Sequence, residues 1–345
     1  MEESLETFKA LDPVAYLSKF TASNTRPDSR PHHTARQTTL LPSILTRNSN
    51  GSSLITLGHT QIITGITLQV GTPSPSTPSQ GEMDVRVTFP PLCSNQYNTS
   101  GRMIHNDYNN GSKSAAAMSY ADPQSIESYV KRTVISSHIV DLEQLCIVPG
   151  KAAWKIVISC MVVNHDGNVV DGMILGISMA LGDLILPPVQ VEKKTGKVRL
   201  LSISPVEDSD SNNDHVEPES NGSGKSSGKG KKLVFRKMMV PLTVGFFQGK
   251  MLVDPSLEEE SLCEGMVTVV VDAMSLTTKE PHAQSQTQPQ TDAKAPILMG
   301  DVLNLSKSGG VMSSMEEIAA CVQLALGRAQ ELKPLLLLPH HAGKE

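Results

Sequence analysis

Aromatic side chains make up only 3% of this 345-residue chain, too few for a base-stacking platform of Phe, Tyr and Trp. Positive charge is also scarce. With 30 Lys and Arg against 35 Asp and Glu, the formal charge is −5, which excludes holding nucleic acid by bulk attraction; any such contact must be local or shared with partners. The five cysteines, Cys93, Cys146, Cys160, Cys263 and Cys321, include no Cys-x-x-Cys pair, and no histidine stands at zinc-ligand spacing. Reduced, mostly buried thiols in an intracellular protein are therefore expected. No run of 18 apolar residues occurs, and the opening Met1-Glu-Glu-Ser-Leu-Glu6 puts acids where a signal peptide carries bases. A soluble, unsecreted chain with no membrane contact follows as an expectation, and the Asn-x-Ser patterns at Asn50, Asn98, Asn110, Asn221 and Asn304 are then idle. A phosphate loop is lacking too. Lys225 to Lys232 resembles one superficially, but Gly-x4-Gly-Lys-Ser/Thr is absent and no strand precedes it; it reads as a flexible basic tether.

What the chain does have is centred on residues 139–187. Trp154 to Val163 is an apolar, β-branched run followed at once by Asn164-His-Asp-Gly167, which predicts a strand ending in a tight turn. The period then changes. Val170, Met173, Ile174, Ile177 and Leu181 line one helical face, while Gly172, Gly176 and Ala180 lie four apart beside it. Two glycines inside a helix cost roughly 1 kcal/mol each relative to Ala, and close approach of another backbone is the usual reason. This predicts a helix sandwiched between layers. A strand feeding a buried helix is also where many α/β proteins bind phosphate, because the first-turn N–H groups are unpaired.

Length suggests two domains or one duplicated domain. The expected division is 1–203, a flexible linker 204–232 and 233–345, with disordered excursions at 71–80, 95–118 and 281–295, where Pro, Ser, Asn, Gly, Gln and Thr predominate. Leu5 to Phe20 predicts one or two helical segments with Asp12-Pro13 as cap and first position. Ser53 to Leu57 and Gln61 to Val70 alternate as a hairpin, with His59 exposed in its turn. Val85 to Ser94 predicts a strand, Ser125 to Ser137 a helix with Lys131 and Arg132 on its solvated side, and Val198 to Ile203 a strand. Further strands are expected at Lys232 to Val244, Gly249 to Val253, Met266 to Val271 and near Val302 to Leu305. The closing helix, Ser313 to Leu332, presents Met315, Ile318, Ala319, Val322, Leu326 and Ala329 on one face, with Ser313 or Ser314 capping and Glu316-Glu317 in the first turn. Two charged groups stand out. Arg26-Pro-Asp-Ser-Arg30 reads best as a structural ion-pair turn. Glu258, Glu259, Glu260 and Glu264 beside Asp254 are of the type that holds a divalent cation, although four acids in a surface loop are more simply solvated.

Together these segments resemble a known family. Arg26-Pro-Asp-Ser-Arg30, Gly51-Ser-Ser-Leu-Ile-Thr-Leu-Gly-His-Thr60, Phe89-Pro-Pro-Leu-Cys-Ser94, Leu145-Cys-Ile-Val-Pro-Gly-Lys151, Trp154, Asp166-Gly-Asn168, Leu186-Pro-Pro188 and Leu252-Val-Asp-Pro255 are similar, in order and spacing, to motifs of the RNase PH-like ring subunits of the eukaryotic RNA exosome, and most like their archaeal forty-two-like branch. Ser29 departs from the family's usual glycine. The resemblance implies an α+β RNase PH-like fold of duplicated βαβ-type layers with mixed sheets and packed helices. It also implies a six-membered ring of sister RNase PH-like subunits, OB-fold and KH-type cap proteins, RNA threaded through the ring, and residence in nucleus, nucleolus and cytoplasm.

Active relatives cleave the 3′ end of RNA with inorganic phosphate, held by a Gly-Thr-Arg or Gly-Ser-Arg loop at the amino end of the central helix. Here the matching stretch is Asp166-Gly-Asn-Val-Val-Asp-Gly172. Val169 and Val170 take the Thr and Arg positions, forfeiting charge-assisted bonds of roughly 1.5–3 kcal/mol each, and Asp171 would repel the anion. The expectation is a non-catalytic subunit without catalytic, cofactor or metal residues, its phosphate pocket plugged by hydrocarbon. Lys131, Arg132 and Arg102 are RNA-facing candidates by charge alone. The alternative is an active phosphate-dependent 3′-to-5′ exoribonuclease with magnesium on the acids between Asp254 and Glu264.

Overall fold

The computed structural model describes residues 2–45, 47, 49–94, 97, 122–191, 198–200, 231–279, 297–310 and 314–337. The chain enters through two helices, α1 (Glu2–Leu11) and α2 (Pro13–Ala22), split where Asp12 caps the second by accepting the Ala15 N–H at 2.9 Å. Proline fits at the first helical position because its missing N–H would be unpaired there anyway. Strands β1 (Thr38–Pro42), β2 (Gly51–Leu57), β3 (Thr60–Gly71) and β4 (Glu82–Thr88) follow, then α3 (Pro123–Ser136), β5 (Cys146–Val148) and β6 (Ala152–Asn164). They form one sheet in the order β1-β2-β3-β6-β4, with β5 on β6. The β4–β6 pair is parallel, and α3 makes the crossover that a parallel pair requires. His59 is exposed in the β2–β3 turn, as the alternation predicts, and Ile62, Thr64 and Ile66 face inward.

Helix α4 (Val169–Gly182) is buried along nearly its whole length. It packs on β2 and β3 and, across from them, on β11 (Met239–Phe247). Met173, Ile177 and Leu181 belong to one apolar core and Leu175 and Met179 to a second, so the sandwich expected from sequence is present. At roughly 1.5–3 kcal/mol per buried large apolar side chain, those five residues outweigh the two helical glycines. The reason for the glycines is side-chain contact more than backbone contact. A Cβ on Gly172 would stand 2.6 Å from Ile62 Cδ1, and one on Gly176 2.5 Å from Thr64 Oγ1. The backbone approach occurs one strand over, where Gly51 lies against the Ala180 carbonyl.

Short strands β7 (Ile185–Leu186), β8 (Val189–Val191), β9 (Val198–Leu200) and β10 (Lys231–Lys232) lead to the second half. There β11, β12 (Lys250–Val253), β13 (Gly265–Asp272) and β16 (Val302–Gly309) form an antiparallel sheet in the order β12-β11-β13-β16, beside the small hairpin of β14 (Thr277–Lys279) and β15 (Ile297–Met299). The second half thus repeats the plan of the first, a hairpin, further strands and a covering helix, giving an α+β fold. Two elements differ from expectation. The link from Asp254 to Glu260, expected as a loop, contains helix α5 (Leu257–Leu262), because Ser256 and Glu259 form a capping box. The last helix, α6 (Met315–Leu336), buries Cys321, Ala325, Leu326, Ala329, Leu332 and Leu336. Leu326 and Ala329 match the expected face, but Met315 is 81% exposed, since α6 meets its sheet only from its second turn onward.

The Pro/Ser stretch 71–80 is described as exposed turns, tied down by a Gly150 N–H to Pro78 carbonyl bond of 2.8 Å. Tyr97 is buried in the first core. The rest of 95–118, the excursion 281–295, most of the linker, the basic tether through Lys229, and Arg102 lie outside the described residues. No helix among the described residues is long and apolar enough to cross a membrane. Cys93, Cys160, Cys263 and Cys321 are buried, Cys146 is half-buried, and all five are free thiols.

Candidate functional site

The turn before α4 is built from two successive left-handed residues, Gly167 at φ 79° and Asn168 at φ 53°. Glycine is required at the first on two counts. A Cβ there would lie 2.4 Å from the Leu257 nitrogen, and an L side chain at that φ is strained. The turn is therefore pressed against the start of α5. Asn168 gives α4 no side-chain cap. Its own N–H instead donates to Glu260 Oε1 at 2.8 Å, so a carboxyl group from the second half sits on the amino end of the helix from the first.

Other carboxyl groups surround it. Asn168 Nδ2 donates to Asp171 Oδ2 at 2.9 Å and to Asp254 Oδ1 at 2.6 Å. Asp171 also accepts from the Thr243 N–H and hydroxyl at 2.8 and 2.7 Å. Arg36, from the segment before β1, grips Asp254 with Nε at 2.9 Å and Nη2 at 2.8 Å, and its Nη1 donates to the Asp166 carbonyl at 2.6 Å. Nearby, Arg26 is 1% exposed; it forms a two-pronged pair with Glu259 and donates to the Val253 carbonyl at 2.6 Å. Both arginines cross from the first half to the second.

Burial dominates the electrostatics. It raises Glu260 to about 8, with the Asn168 N–H offsetting only part of the shift, and Asp171 to about 6. Burial also pushes Asp254 upward, but the Arg36 guanidinium outweighs it and holds that carboxyl below its ordinary value. His165, next to the turn, is driven by burial to about 4; neutral, it accepts the Gly167 N–H on Nδ1 at 3.2 Å. Glu260 is thus mostly protonated at neutral pH, while Asp254 and Arg36 form an ion pair.

The acids between Asp254 and Glu264 are not the solvated loop expected of them. Asp254, Glu259 and Glu260 are 1%, 3% and 8% exposed. As for magnesium, Asp254 is engaged by Arg36 and Asn168, Glu259 by Arg26, Glu260 by a backbone N–H and Glu258 by Lys9. No group of three His, Cys, Asp or Glu among the described residues could hold a metal ion. The hydrocarbon plug also needs correction. Val169 and Val170 are each 2% exposed in the first core, but what covers the helix end is Glu260. Asp171 faces Thr243 and Asn168. The void remaining at the junction, beside Asn168, Asp171 and Asp254, is about 10 Å³, scarcely the space of one water.

Of the other candidates, the Arg30–Asp28 pair at 2.5 Å makes the expected ion-pair turn, whereas Arg26 in the same motif leaves it for Glu259. Lys131 is half-buried and paired with Asp84 at 2.6 Å, and Arg132 is exposed. Arg36, Thr243 and the inward turn of Glu260 have no local sequence signal: each acts on a residue far away in the chain.

Residues 34–187 match domain 1 of the 3′ exoribonuclease (RNase PH) family and residues 237–328 match domain 2. A protein of Thermococcus onnurineus called exosome complex component Rrp42 is 27% identical over 291 residues, 84% of this chain and 81% of that protein. Its counterpart in Methanosarcina mazei is 23% identical over 98% of this chain and 96% of its own length. Among solved structures, the Archaeoglobus fulgidus exosome with RNA bound to the active site contains a chain that superposes with a TM-score of 0.65 at 21% identity, covering 93% of this chain and 96% of that one. Rice Rrp46 superposes with a TM-score of 0.53 at 13% identity, over 91% of this chain and 98% of that one. With both domain models matched in order along the chain, the protein belongs to the 3′ exoribonuclease family.

Proposed function

We propose that this chain is a non-catalytic ring subunit of an RNA exosome, pairing with sister RNase PH-like subunits to scaffold 3′-to-5′ processing and decay of RNA that passes through the ring, and carrying OB-fold or KH-type cap proteins. One observation supports the non-catalytic reading above the rest. The helix end that would receive phosphate is occupied by the chain's own Glu260 carboxyl, with Asp171 and Asp254 beside it and Arg36 already committed. An incoming phosphate would have to displace the buried, hydrogen-bonded Glu260 carboxyl and stand beside the Asp171 carboxylate in a low-dielectric site, which multiplies the repulsion it would meet in water.

The ring role is supported by the likeness to Rrp42 proteins along most of the chain and by the edge strand β16, where Val302 and Leu305 are 43% and 42% exposed. Such edges are normally covered. The same reading places the protein in nucleus, nucleolus and cytoplasm, which imaging of a tagged chain checks. The deciding assay incubates the purified chain with 3′-tailed RNA, magnesium and phosphate. No nucleoside diphosphate is expected; phosphate-dependent release would establish the active enzyme instead. The isolated chain is also expected to self-associate or aggregate, and a monodisperse monomer at micromolar concentration would overturn the ring reading.

A further inference from the structure

Helix α5 has an outward side that the buried junction does not use. A cavity of about 420 Å³ opens between α1, α2 and α5, with Tyr16, Leu17 and Leu262 in its lining and Glu6, Lys9 and Glu258 among its charged groups. It already contains a cation. Lys9 Nζ stands 2.5 Å from Glu258 and 6.0 Å from the centre of the Tyr16 ring, a carboxylate and an aromatic face converging on one positive group. Lys9 answers only one of the two rim carboxylates. Glu6 is exposed and has no ion-pair partner among the described residues, so the groove retains an excess of negative charge beside apolar surface.

We propose that this groove docks an arginine-bearing, apolar-flanked segment of a partner protein, the guanidinium lying on Tyr16 beside Glu6 and the apolar neighbours on Ala10, Pro13 and Leu262. The charge selects the sign of the guest, and the ring selects its shape: a planar guanidinium stacks and pairs with a carboxylate at once, which an ammonium cannot do as well. Nucleic acid is excluded on the same ground, because its phosphates would meet Glu6 and Glu258. The proposal is independent of the ring reading, since it uses only groups of α1, α2 and α5.

The test titrates the full chain, in whatever assembly it adopts, with a labelled, capped five-residue peptide carrying one arginine between leucines, and with the same peptide carrying citrulline. Anisotropy gives affinity, and hydrogen exchange locates the contact. Binding of the arginine peptide with slowed exchange in α1 and α5 is expected, with the citrulline peptide about tenfold weaker and Glu6→Gln about threefold weaker. Lys9→Met frees Glu258 for the guest and is expected to tighten binding about threefold, a gain that damage to the fold cannot imitate. Equal affinity for the two peptides, no binding, or Lys9→Met unchanged or weaker would overturn the proposal. So would an oligouridylate that protects these same helices.

Discussion

Two long helices, α4 and α6, each solve the problem of four unpaired amino-terminal N–H groups, and they solve it differently. In α6 the chain caps itself. Ser314 accepts the Glu317 N–H at 3.1 Å while Glu317 returns a carboxylate to the Ser314 N–H at 2.8 Å. In α4 the cap comes from a residue 92 positions away, Glu260, held at its place by α5 and by the Arg26 and Arg36 clasps. The first end is exposed and independent of the rest of the fold. The second exists only when both halves are docked, which makes the amino end of α4 a joint between domains.

That difference can be broken most severely at Arg36. Arg36→Met takes the two-pronged cation from Asp254, 1% exposed, and leaves it only Arg30 at 3.5 Å, so a loss at the lower end of the about 3–5 kcal/mol that breaking a buried pair costs is expected. The midpoint of urea unfolding measures it, and a loss under 1 kcal/mol would mean that the joint is not held by charge. Gly167→Ala strikes the same joint sterically. The left-handed backbone costs about 1–2 kcal/mol for an L residue, and the Cβ contact with Leu257 adds to it, so a loss of about 2–3 kcal/mol is expected, with α5 loosened in hydrogen exchange.

The joint should also titrate where the self-capped end does not. Glu260 has its folded value raised to about 8 from an ordinary 4.5. The folded state therefore binds the proton more tightly than the unfolded one, and the stability this contributes is complete below about pH 4.5 and lost as the pH rises through about 8. Asp171 acts with the same sign in a lower window, ending near 6, while Asp254, depressed by Arg36, acts oppositely and only in acid. His165, held near 4 by burial, acts oppositely to Glu260 up to about its ordinary 6.5, so the fall in stability is set mainly by Glu260 between pH 7 and 8, at no more than about 1.4 kcal/mol per pH unit. Glu260→Gln keeps an acceptor for the Asn168 N–H and removes the titration, so its unfolding free energy is expected to stay nearly level across that range. A slope unchanged from the parent would show that another group carries it.

This contrast also marks what could be read in the sequence. The self-capped end was legible because its signals, Ser314 and Glu317, lie within one turn of each other. So were the hairpin, the β6 strand and the apolar face of α4, each carried by a local period. The stretch that the resemblance singles out, Asp166 to Gly172, makes the turn and first residues of α4, and Val169 and Val170 are buried as their chemistry demands. What lay across the chain was hidden. Nothing next to Arg36 distinguishes it from a surface arginine, and Glu258, Glu259 and Glu260 look alike in sequence although one faces solvent and two face inward. Their fates are separated by helical geometry, since consecutive helical residues point about 100° apart, and a loop expectation for α5 discarded that geometry.

The smallest effect is expected at the local end, and its smallness tests the comparison. Ser314→Ala removes one cap bond in a solvent-exposed turn, for which about 1 kcal/mol is the usual cost. Because Ser314 touches nothing of the joint, its effect should add to that of Arg36→Met within about 0.5 kcal/mol, as independent sites do. Glu260→Gln and Arg36→Met, whose residues are linked through the bond between Asn168 and Asp254, should instead couple. A double-mutant cycle on purified chain in urea measures both. If Ser314→Ala couples to Arg36→Met as strongly as Glu260→Gln does, the two helix ends are one cooperative unit and the distinction between a local cap and an interdomain joint fails.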